Sequence, residues 1–249
     1  MTPCTPDERM TVAAARRLRN GDVCFVGIGL PSAAANLARL THAPDLVLIY
    51  ESGTIGTRPD VLPLSIGDGE LALTADCVVP LPEIFSHYLQ AGRIDVGFLG
   101  AAQIDRFGNL NTTVIGPYDR PKVRLPGSGG APEIARHAKA TLIVMKLGLR
   151  TFVERLDFVS SAGAGRGQAP EAVITDLGIL RPDADGELTL ATLYAGVTAE
   201  EVQAATGWPL RVAPVLETEP DPTAQELEVL RALHARTRAA HARPPLLPL

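Results

Sequence analysis

Five successive residues with apolar bodies, Leu46-Val47-Leu48-Ile49-Tyr50, run directly into Glu51-Ser52-Gly53. A short apolar run without polar alternation, closed by turn residues, reads as a strand covered on both faces. Strands of that kind belong to sheets packed under helices, so this run constrains the fold class more than any other segment. A second such strand, Val23-Cys24-Phe25-Val26, precedes it and ends in Gly27-Ile28-Gly29. An alanine-rich helix is expected between the two, from about Ser32 to Leu40. Further strands are expected at Asp95–Leu99, Thr141–Met145, Ala172–Thr175, Leu188–Leu193 and Leu210–Val215. Helices are expected at Pro82–Ala91, Ala131–Ala138, Ala199–Ala205 and Thr223–Ala240. This alternation predicts an α/β fold: an open, largely parallel sheet with helices on both faces. One domain over residues 1–249 is the simplest account, with its core at about 8–220 and a proline-rich loose tail at 242–249. The glycine-rich stretch Ser161–Gly167 reads as a mobile loop.

Several function classes are disfavoured at once. A net charge of −5 without a basic run leaves no nucleic-acid footprint. No stretch approaches the ~18 apolar residues of a membrane span, and Met1–Met10 lacks an apolar signal core. A cytoplasmic protein is expected. Cys4, Cys24 and Cys77 form no CxxC pair and read as plain buried or free thiols. His42, His87, His137, His234 and His241 show neither catalytic nor metal-ligand spacing, and no metal is called for.

The Gly27-Ile28-Gly29 turn and the acid that ends the next strand come close to a dinucleotide-binding pattern, where an acid about 20 residues on holds the ribose. Ser32 stands where the third glycine belongs, however, and Glu51 opens a loop, Ser52-Gly53-Thr54-Ile55-Gly56, with two glycines. A ribose-binding acid needs no such loop, whereas a carboxylate that meets a bulky substrate does. Taken alone, Glu51 is equally readable as a salt-bridged or capping acid. Downstream, Gln103, Asn109 and Asn111 crowd one stretch; carboxamides there orient a substrate carbonyl or carboxylate, or merely close a turn. Gly127-Ser128-Gly129-Gly130 before a helix aims backbone N–H groups at an anion. Neighbouring Arg120, Lys122 and Arg124 hold phosphates or a carboxylate, or form a solvated basic loop. No Gly-Lys-Ser/Thr and no G-x-S-x-G occurs here, so neither a Walker loop nor a serine hydrolase is supported. Asp68 and Glu70 read as a turn rather than an acid/base pair.

In this order the blocks Gly27-Ile28-Gly29-Leu30-Pro31, Glu51-Ser52-Gly53, Gly100-Ala101-Ala102-Gln103-Ile104-Asp105, Gly108-Asn109-Leu110-Asn111 and Gly127-Ser128-Gly129-Gly130-Ala131 resemble class I coenzyme A transferases, of the glutaconate CoA-transferase β-subunit type. Relatives often have a second glycine where Ala101 stands, a small change. The resemblance implies that Glu51 is the catalytic carboxylate, carrying a glutamyl-CoA thioester in ping-pong turnover. It implies that Ile28, Gly29, Gly53, Gly127, Gly129 and Gly130 line the oxyanion and CoA site. Gln103, Asn109, Asn111 and Lys122 are then substrate-orienting. It also implies an α subunit as partner, acyl-CoA as substrate, and no permanently bound cofactor. Related ring-cleaving hydrolases lack the glutamate as a group. An acyl-CoA hydrolase on the same scaffold, or a non-catalytic nucleotide-binding subunit, stays open. The acid is expected to be a dicarboxylate or 3-oxo acid such as glutaconate or 3-oxoadipate, with Arg58 or Lys122 on its distal carboxylate.

Overall fold

The computed structural model describes residues 3–242, and its contacts cluster into two compact units, residues 3–81 with 222–242 and residues 82–221. Residues 243–249 of the expected loose tail lie outside the described part.

The first unit opens with helix α1, Pro6–Ala15, for which no expectation was formed. Thr5 and Glu8 make a capping box there and Pro6 takes the first turn, where its missing N–H costs nothing. Strand β1 (Val23–Phe25) leads into α2 (Leu30–Leu40), then β2 (Val47–Ile49). β1 and β2 are parallel, with Val23 opposite Val47 and Phe25 opposite Ile49. The buried face of α2 is built from Ala33, Ala34, Ala35, Leu37 and Ala38, side chains small enough to let α1 approach closely. Next come β3 (Thr54–Ile55), α3 (Gly69–Leu73) and β4 (Cys77–Val78), with β3 antiparallel to both β2 and β4. The C-terminal helix, Ala224–His241, matches the expected span to within a residue and buries Leu230 and Leu233. Two bidentate ion pairs clamp it to α1 and its end. Arg231 holds Glu8 (2.6 and 3.0 Å) and Arg16 holds Glu226 (2.8 and 2.7 Å).

In the second unit the expected helix at Pro82–Ala91 is a short α4 (Leu81–Glu83) that widens into a π-helical turn, Ile84–Leu89. Strand β5 (Val96–Leu99) is followed by two small hairpins. β6 (Gln103–Ile104) pairs with β7 (Leu110–Asn111), and β8 (Val114–Ile115) with β9 (Val123–Arg124). Then follow α5 (Ala131–His137), β10 (Ala140–Val144), β11 (Ala172–Ile174), β12 (Gly178–Pro182), β13 (Leu188–Tyr194), α6 (Ala199–Ala204) and β14 (Arg211–Glu219). β5, β10 and β11 are parallel and almost wholly buried, as both-face-covered strands must be. β12 and β13 run antiparallel beside them, and β14 is parallel to β13. The fold is α/β, with parallel strands at the heart of each unit and antiparallel strands flanking them. β12 escapes a reading by apolar runs because Arg181 and Pro182 interrupt it.

Candidate active site

β1 and β2 end at the same sheet edge, where the amide of Val26 still donates to the carbonyl of Ile49 (2.9 Å). Two loops leave from that edge. The one after β2 is a tight hairpin turn into β3. Gly53 N donates to Tyr50 O (3.0 Å) and Tyr50 N to Thr54 O (3.1 Å), leaving Glu51 and Ser52 as the two central residues. Glu51 is half-buried, and its carboxylate makes no hydrogen bond or ion pair among the described residues. The salt-bridged and capping readings of this acid therefore fall. Gly53 closes the turn at φ 108°.

The loop after β1 carries Ile28 and Gly29. Gly29 is the N-cap of α2 at φ 85°, ψ −131°, a conformation that suits only glycine. A Cβ there would meet nothing within 4 Å, so conformation and not crowding demands the residue. The amides of Ile28 and Gly29 donate to nothing among the described residues, and they sit at the positive end of an eleven-residue helix. The first unit thus brings Ile28, Gly29, Glu51 and Gly53 to the ends of two adjacent parallel strands. Strand ends are where open α/β sheets bind ligands.

The remaining candidates lie in the second unit. Gln103 and Asn111 face each other across β6 and β7. Asn111, fully buried, donates to Gln103 Oε1 and Val114 O (both 2.7 Å) and accepts from the amides of Thr113 and Val114. It has no valence left for a substrate, so direct orientation by Asn111 is corrected: it holds two hairpins together. Gln103 donates to Asp157 (3.0 Å), and Asn109 binds both oxygens of Asp105 while accepting from Gly163 N (2.9 Å). Gln103 and Asn109 keep one hydrogen-bonding position each. Gly127, Gly129 and Gly130 lead into α5. Gly127 and Gly129 adopt positive φ (106° and 51°), and the amides of Ser128, Gly129 and Gly130 donate to nothing among the described residues. Lys122, on the turn between β8 and β9, is exposed and its ammonium is without a partner among the described residues. Arg58 is not free in this way: it pairs with Asp76 at 2.7 and 3.2 Å, which corrects its candidacy as a carboxylate binder. Asp68 and Glu70 accept backbone N–H groups around α3, as a turn pair does.

A cavity of 640 Å³ in the second unit is lined by Phe107, Asn109, Arg155, Phe158 and Arg166 among others, and takes in neither the glycine loop nor Lys122. Its wall includes part of Ser161–Gly167, expected to be mobile. That stretch is tied down by Leu110 N to Ser161 O (2.9 Å) and Ala164 N to Phe107 O (2.8 Å). Sequence reading also passed over the buried pair Ser32 and Tyr50, whose oxygens lie 2.8 Å apart. The available signal was a polar tip in each of two otherwise apolar elements.

The family model of coenzyme A transferases matches residues 7–205. The chain belongs to that family. Among its relatives is a 3-oxoadipate CoA-transferase subunit from Pseudomonas knackmussii, 61% identical with 97% of each chain covered. A glutaconate CoA-transferase subunit from Acidaminococcus fermentans is 36% identical over 91% of each. The crystal structure of that organism's glutaconate coenzyme A-transferase superposes with a TM-score of 0.88 at 32% identity, covering 98% of this chain and 99% of that one. These matches are to coenzyme A transferases, so the chain is an enzyme component that handles CoA thioesters, and its α/β sheet is that of the family. No helix among the described residues is long and apolar enough to cross a membrane.

Proposed function

We propose that this chain is the β subunit of a cytoplasmic CoA transferase that moves CoA from an acyl-CoA donor to 3-oxoadipate or a closely similar 3-oxo dicarboxylic acid, with Glu51 as nucleophile. The observation that carries the reading is the unpaired Glu51 carboxylate on a hydrogen-bonded turn at the end of β2, while two amides without an acceptor among the described residues follow the end of the adjacent strand β1. The near-complete alignment at 61% identity with a 3-oxoadipate CoA-transferase subunit supports the substrate class. That relative's designation as one subunit of its enzyme supports an α chain as the obligatory partner.

Glu51 attacks the thioester carbonyl of the donor, giving an acyl-glutamyl anhydride and CoA thiolate. The thiolate attacks the glutamyl carbonyl, the donor acid leaves as a carboxylate, and a glutamyl-CoA thioester remains. The acceptor carboxylate then attacks that thioester and expels the thiolate. The thiolate attacks the acceptor's acyl carbonyl, which releases the new acyl-CoA and the free Glu51 carboxylate. Splitting one exchange into four such steps is the advantage of covalent catalysis. Each tetrahedral oxyanion needs preorganised donors, and losing one typically costs ~3–4 kcal/mol. The Ile28 and Gly29 amides are suited to the glutamyl side, with Gly53 closing the Glu51 turn at positive φ. The amides around Gly127, Gly129 and Gly130 are suited to a phosphate or acyl oxygen of CoA. Lys122 supplies a free cation for the distal carboxylate, and the spare positions on Gln103 and Asn109 are suited to the 3-oxo end.

The test uses the chain co-purified with its α subunit. Incubation with acyl-CoA donors and trapping with borohydride or hydroxylamine should give a donor-dependent mass change on the Glu51 peptide alone. Bound donor without any change at Glu51 would remove the carboxylate from the mechanism. Thioester loss that proceeds equally well without an acceptor acid would make the protein a hydrolase.

A further inference from the structure

Among the polar groups that the reaction above does not use, one buried pair spans both loops of the site. The Tyr50 hydroxyl and Ser32 Oγ lie 2.8 Å apart, and both residues are fully buried. Tyr50 immediately precedes Glu51 and is the first residue of its turn. Ser32 lies three residues beyond Gly29, in the first turn of α2. Ladder pairing holds β1 against β2 as far as Val26 and Ile49. Beyond that point the glycine turn and the Glu51 turn separate, and Ser32–Tyr50 rejoins them. The helix side of this link is itself braced, because Asn36 Nδ2 donates to Ser32 O (2.9 Å). Burial pushes the Tyr50 hydroxyl up to about 12, so the phenol stays protonated and hydrogen-bonded at working pH. Phenylalanine would fill the same volume; only the hydroxyl makes the cross-link.

We infer that Ser32 and Tyr50 are positioning residues for the transferase reaction, their hydrogen bond setting the Glu51 carboxylate against the Ile28 and Gly29 amides. The inference rests on Glu51 being the nucleophile. Displacing a reacting group by about 1 Å can cost ~10²-fold in rate, which is the scale on which such a link acts.

The test measures single-turnover acylation of Glu51 by acyl-CoA in the complex with the α subunit. Wild type is compared with Tyr50→Phe, Ser32→Ala and the double variant, together with KM and thermal melting. Each single variant should slow acylation by about 10- to 100-fold, with KM changed by less than ~3-fold. The double variant should be no slower than the slower single one, since both remove one shared interaction. Acylation within ~2-fold of wild type in a folded single variant overturns the inference, and so do losses that multiply in the double variant. Should Tyr50→Phe not fold, Ser32→Ala keeps the ring in place and reads the same link. Wild-type transfer by Glu51→Ala would instead remove the nucleophile itself, an outcome separate from normal acylation of Glu51 in Tyr50→Phe.

Discussion

The carbonyl oxygen of Val79 stands 2.0 Å from where a first side-chain carbon of residue 53 would sit, so Gly53 and Val79 are in backbone-to-backbone contact. The Val79 amide also donates to Gly53 O (2.9 Å), fastening the Glu51 turn to the chain just beyond β4. Gly53 is therefore required twice, by its φ of 108° and by that contact.

Gly53→Ala should destabilise the protein by at least ~2 kcal/mol, because strain at positive φ alone costs about 1–3 kcal/mol and the clash adds to it. Gly29→Ala, with open space around its Cβ, should carry the strain alone. Chemical denaturation of the two variants side by side tests this. Equal midpoints would show that the Val79 contact adds nothing.

Glu51→Asp should retain the fold and lose at least ~10²-fold in transfer. Its carboxylate is set back by about 1.5 Å on a turn whose backbone bonds prevent compensation. Steady-state kinetics beside a melting curve separates this from general damage; a variant within ~10-fold of wild type contradicts it.

Lys122→Met should raise KM for a dicarboxylate acceptor while leaving a monocarboxylate acceptor and the melting temperature unchanged. The exposed ammonium has no structural partner to lose among the described residues. A paired charge at a solvated site is worth up to ~1 kcal/mol, so the expected rise is about 2- to 5-fold. Equal effects on both acids would dismiss the role.

Asn111→Ala should do the opposite. Removing a buried amide with four hydrogen bonds leaves donors and acceptors of two hairpins unpaired, at a cost of about 2–4 kcal/mol. Urea unfolding should show that loss, with KM for either acid unchanged in the folded enzyme. A stable variant with raised KM would restore Asn111 as a substrate contact.

Acid should weaken the C-terminal helix early. The Arg231 guanidinium brings Glu8 down from the usual 4.5 to about 2. For Glu226, burial pushes the carboxyl up, but Arg16 and Thr223 together outweigh it and bring it to about 2 as well. Both folded values lie below the unfolded ones. Their contribution is complete above about pH 5 and is lost as pH falls from there towards 2. Melting temperature should fall over that window, and Glu8→Gln or Glu226→Gln should lower the neutral-pH value while flattening the fall. A variant with an unchanged acid slope would contradict the assignment.

The most informative local features needed no tertiary knowledge. The apolar run of β2, the glycine turn after β1 and the acid that follows β2 are readable because burial on both faces and positive φ each select residues within a few positions. The capping box Thr5-Pro6-Asp7-Glu8 was equally local, and α1 could have been read from it. Other assignments depended on partners far along the chain. Gln103 is bound by Asp157, 54 residues on, and Arg58 is occupied by Asp76. Ser161–Gly167 looks free by composition until Asn109 and Phe107 are seen to bind it. The two-residue strands β3, β4 and β6–β9 are too short for any periodicity and exist because a neighbouring strand completes their hydrogen bonds. Sequence by itself determined which segments are buried and where the backbone requires glycine, because composition and backbone conformation are local. Tertiary structure alone decided which polar groups remain unsatisfied, and so free to act, because a hydrogen bond is spent wherever the fold brings a partner within about 3 Å.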